Sequence, residues 1–127
     1  MAGRQVRDHQ LIVSTKFLKA HPDVVKALVA GQVAANDQLH SDEAGSQQAI
    51  SDHIGKITGK PLDLALIQQA WKTIEFTNDP IASSLKTGLD HAVEVELTQP
   101  VDLKGLYDLS YLNEALKAAG ETEVAQP

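Results

Sequence analysis

Five histidines, His9, His21, His40, His53 and His91, are the residues of this 127-residue chain best suited by type to metal binding or proton transfer. Such chemistry needs them in register, and neither a pair of histidines four apart nor a His-Glu-x-x-His motif occurs. Asp52-His53 and Asp90-His91 are adjacent, but neighbours on a helix point about 100° apart, so neither pair converges on one ion. These histidines read as solvated or capping residues, with His21 at a helix break before Pro22. The acids Asp42-Glu43 stand at an expected helix start, where the dipole favours negative charge. General acid catalysis asks instead for a carboxyl in an apolar pocket, and Glu94 and Glu96 give no sign of one. Ser14, Ser41, Ser83 and Ser84 lack a Gly-x-Ser-x-Gly elbow, and the eight glycines are too dispersed to cradle a phosphate. The absence of cysteine removes thiolate nucleophiles, disulfides and Cys-type zinc sites. The expectation is a protein that is not an enzyme, with no catalytic residue, no metal and no cofactor.

The most site-like stretch is Thr77-Asn78-Asp79. It falls at the end of an expected strand and the start of an expected helix, where backbone N–H groups can hold an anion. Open α/β folds commonly place ligands at such a junction. The same residues also suffice to cap the helix that Pro80 opens, so ligand binding and capping compete for them. Trp71 shares an apolar helix stripe with Leu64 and Ile67 and is expected in the core. Tyr107 and Tyr111, beside Leu106, Leu109 and Leu112, are expected to pin the last helix to the body.

The elements that position these residues follow from periodicity. Residues 11–13, Leu-Ile-Val, form a β-branched run suited to a buried strand. Ser14 or Thr15 caps a short helical turn over residues 16–20. Pro22 and Asp23 open a long helix to about residue 39, with Val24, Val25, Leu28, Val29, Val33 and Leu39 recurring along it. A helix starting at 41–43 carries Ala44, Ala49, Ile50, Ile54 and Ile57 and stops at Gly59-Lys60-Pro61. Asp63 caps the next one. Residues 73–77 alternate with β-formers and predict a second short strand. Another helix runs from Pro80 to about 97 with Ile81, Leu85, Leu89, Ala92 and Val93 inward. Pro100 begins a loop, and Asp108 or Ser110 caps a last helix with Leu112, Leu116 and Ala119 inward and Gly120 at its end.

The fold class expected is mostly α, with about five helices and one or two short strands. Residues 1–10 read as an irregular lead-in, 11–120 as the folded segment and 121–127 as a flexible tail. Two lone strands cannot make a stable sheet, so a piece of a larger α/β fold explains the pattern better than a self-sufficient bundle. The formal net charge of -6 without a basic stripe argues against nucleic acid. No apolar run approaches the ~18 residues of a membrane span. The first ten residues lack an apolar core and a cleavage site, so any export signal lies outside this chain.

Three stretches carry a resemblance to a known family. The first is Leu11-Ile-Val-Ser-Thr-Lys-Phe-Leu-Lys-Ala-His-Pro-Asp-Val-Val25, a strand followed by a helix entry. The second is Trp71-Lys-Thr-Ile-Glu-Phe-Thr-Asn-Asp-Pro-Ile-Ala-Ser-Ser-Leu85. The third is Val101-Asp-Leu-Lys-Gly-Leu-Tyr-Asp-Leu-Ser-Tyr-Leu-Asn-Glu-Ala-Leu116. In order and spacing they resemble the carboxy-terminal part of substrate-binding proteins of ABC importers of the nitrate, sulfonate and taurine class. The resemblance covers roughly residues 11–120 and implies a type II periplasmic-binding-protein lobe, α/β by ancestry. It further implies a small anionic solute and an ABC permease as partners of the parent protein, and an extracytoplasmic or periplasmic location. This chain has only the final third of such a protein, and no position in it matches a ligand motif of the family. A stand-alone, mostly helical interaction module is the alternative, which predicts a cooperative, compact monomer or dimer. A dimer or swapped oligomer, a homo-oligomer in either case, is expected of the isolated folded chain, since large apolar patches rarely stay bare.

Overall fold

Helix starts and stops are written into this chain by short polar side chains and glycines, and the computed structural model, which describes residues 10–127, uses most of them. Six helices follow in order: α1 (Thr15–Ala20), α2 (Pro22–Ser41), α3 (Glu43–Thr58), α4 (Leu64–Trp71), α5 (Ala82–Glu94) and α6 (Ser110–Ala119). Ser14 Oγ accepts from Phe17 N at 3.1 Å and caps α1. Asp42 Oδ1 accepts from Gly45 N at 3.0 Å, and Asp63 Oδ1 from Ala65 N at 2.8 Å. Gly59 and Gly120 end α3 and α6 in the left-handed region, at φ 79° and 78°, where a side chain would be strained.

The chain is mostly helical, and no strand occurs among the described residues. Both expected strands are therefore corrected. Residues 11–13 have no regular secondary structure, and Leu11 and Ile12 are 56% and 84% exposed. Over residues 73–77 the backbone first prolongs the turn of α4, with Thr73 N donating to Ala70 O and Ile74 N to Trp71 O. A strand needs a neighbouring strand to take its backbone bonds, and no strand occurs among the described residues to serve as one. Residues 1–9 of the expected lead-in, His9 among them, lie outside the described residues. Gln10 Nε2 donates to Pro80 O and to Tyr107 Oη, both at 3.2 Å.

The chain divides into two units: residues 1–30 with 79–127, and residues 31–78. In the first, Val25 on α2, Leu109 just before α6 and Leu116 on α6 are buried, and Leu116 is the most enclosed at 1% exposure. Lys26 pairs with Glu114 between α2 and α6. Both side chains are half exposed, so the pair adds at most about 1 kcal/mol. The last residues are tied back at Val124, where Asn113 Oδ1 accepts from Val124 N at 2.8 Å and Asn113 Nδ2 donates to Val124 O at 2.9 Å.

The second unit buries polar side chains as readily as apolar ones. Val33 and Ile67 are buried beside Asn36, Ser46, Gln47 and Ser51. The face that α3 buries is thus Ser46, Gln47 and Ser51, while Ile57 on the expected apolar stripe is exposed. Short side chains let other backbone come close. A Cβ at Gly55 would lie 3.0 Å from Pro61 N, and Ser51 Oγ donates to Leu62 O at 2.6 Å. Ser46 Oγ donates to Gln38 O at 3.4 Å, so the buried hydroxyls have acceptors.

Helix α5 begins later than its sequence suggests. Ile81 sits at φ 47°, a left-handed conformation that β-branched residues rarely adopt, and the helix starts at Ala82. At the other end Glu96 takes φ 58° and is exposed. Glycine at that position removes the Cβ penalty, so Glu96→Gly is expected to raise stability by about 1 kcal/mol. A urea melt of the two proteins checks it, and an unchanged or lower midpoint counts against a strained Glu96.

Candidate functional site

The sequence singles out Thr77, Asn78 and Asp79, and the boundary between the two units falls between the second and the third. In the second unit, Asn78 is half-buried at the end of the segment that follows α4. Its Oδ1 accepts from Asn36 Nδ2 at 2.6 Å. Asn36 is itself buried on α2, takes a bond from Gln32 Nε2 at 3.2 Å through its Oδ1, and offers its backbone carbonyl to His40 Nδ1 at 2.7 Å. A carbonyl can only accept, so Nδ1 of His40 carries the proton in this bond. Thr77 is half-buried in the same segment, and Phe76 rests on Trp71 with ring centroids 4.7 Å apart.

Asn36 is the residue that sequence reasoning passed over. It falls one helical turn beyond Val33, on the stripe of Val25, Val29 and Val33, and the signal that could have found it was this phase rather than its polarity. Buried Asn must satisfy several donors and acceptors, and here the supply comes from Gln32 and Asn78. The result is a small amide network that ties the segment after α4 to α2.

In the first unit, exposed Asp79 turns its Oδ1 to Ile81 N at 2.7 Å. That amide is one an incoming anion would need, and a carboxylate already holds it. Asp79 therefore does not cap α5, whose N-cap position is Ile81 without a side-chain cap bond; it makes instead a side-chain turn onto the backbone two residues on. A comparable turn precedes α6, where Asp108 Oδ1 accepts from Ser110 Oγ at 2.5 Å and from Ser110 N at 3.1 Å. These two bonds, the hydroxyl one first, hold the Asp108 carboxyl below its ordinary value of 3.8. A lowered folded-state pKa means stability that is present above the ordinary value and lost as pH falls through the folded one. The expected result is that Asp108→Ala lowers the urea midpoint at neutral pH and that this difference shrinks in strong acid. A difference that holds constant from about pH 7 to about pH 2 contradicts the assignment.

No group of three or more His, Cys, Asp or Glu side chains capable of holding a metal ion occurs among the described residues. His21 instead lies against Phe17, with ring centroids 4.9 Å apart. A depression of about 230 Å³ lined by Ser14, Lys16, Phe17, Ala20 and His21 is smaller than the roughly 300–1,000 Å³ of small-molecule clefts. No described helix is long and apolar enough to cross a membrane. No family model matches the chain, and neither a curated protein nor a solved structure matches it.

Proposed function

We propose that this chain is the carboxy-terminal segment of the solute-binding component of an ABC importer for small anions such as aliphatic sulfonates, nitrate or taurine. The parent would be extracytoplasmic, non-catalytic and α/β by ancestry, closing on its solute and then docking on a permease. The observation that carries the reading is the state of residues 11–13. Leu11, Ile12 and Val13 are apolar, β-favouring and exposed, at the head of the first of the three ordered motifs. An apolar, β-favouring stretch left exposed is what a sheet strand without its neighbours would leave. The ligand expectation at Thr77, Asn78 and Asp79 belongs to the same reading, and Asp79 is its weak member because its carboxylate already engages Ile81 N.

The test is solute binding by the product of the whole reading frame, measured by calorimetry with taurine, ethanesulfonate and nitrate. Binding of at least one of them is expected. A frame encoding no upstream lobe, or a complete product that binds none of the three, overturns the reading.

A second reading, a stand-alone helical module that self-associates, draws on the six helices formed without any strand among the described residues. It differs in one prediction: the 127 residues alone then melt cooperatively as a compact monomer or dimer that needs no upstream sequence to fold. A chain of these residues that shows no cooperative urea transition removes it, and a well-behaved monomer by light scattering removes the expected self-association.

A further inference from the structure

We draw no further inference here: the strongest candidate, the exposed apolar surface patch of Val95, Leu97 and Val101 in the loop between α5 and α6, carries nothing because nothing in the structure shows what covers it.

Discussion

Replacing Leu116 with Ala is expected to lower the stability of the first unit by about 2–5 kcal/mol, the largest effect of any single truncation among the described residues. Leu116 is 1% exposed, the largest side chain so fully enclosed among the described residues. Its loss removes the transfer free energy of several methyl and methylene groups and leaves a cavity that the surrounding structure refills only in part. Total stabilities of single domains run to about 5–15 kcal/mol, so much of the margin goes with this one residue. Leu97→Ala is the matched control, because Leu97 is 80% exposed and its truncation should fall within about 0.5 kcal/mol. Urea melts followed by circular dichroism read both. Equal losses for the two variants would mean that α6 does not close the core as described.

The second large effect lies in the other unit. Asn36→Ala and Asn78→Ala should each cost about 1–3 kcal/mol, because each takes away the bond between the two amides at a buried position. The double variant should cost less than the sum, with a coupling of about 1 kcal/mol. The bond from His40 Nδ1 to the Asn36 backbone carbonyl survives both changes, so it does not confuse the cycle. Trp71, the single tryptophan, sits in this unit and its emission reports the melt. Strict additivity would mean that the two amides do not act on each other in solution.

These two cases show what the sequence made legible. Leu116 could be placed from its spacing with Leu112 and from Gly120 behind it, because an amphipathic helix repeats its inward positions every three to four residues. Its third partner in that stripe, Ala119, is exposed, since the last turn of α6 outruns the core. Caps were equally readable: Ser14, Asp42 and Asp63 each hold the amide that their type and position imply. Asn36 was not readable, because polarity outweighs phase when inward faces are sought by hydrophobicity alone. The same bias sent the buried face of α3 to Ala44, Ala49, Ile50, Ile54 and Ile57 rather than to Ser46, Gln47 and Ser51. Strand propensity misled differently. Residues 11–13 and 73–77 have the right residue types, but strand formation is a property of pairs, and types alone do not supply the second member. At Ile81 the helix start moved because Asp79 bonded to the backbone two residues on, an outcome local to one side chain's geometry.

Whether residues 11–13 belong beside a sheet can be measured directly by amide hydrogen exchange at Leu11, Ile12 and Val13. The comparison is between the isolated chain and the product of the complete reading frame. The account predicts fast exchange in the first and at least a hundredfold slowing in the second, as expected when ladder bonds form and local opening becomes about 3 kcal/mol harder. Equally fast exchange in both would contradict it.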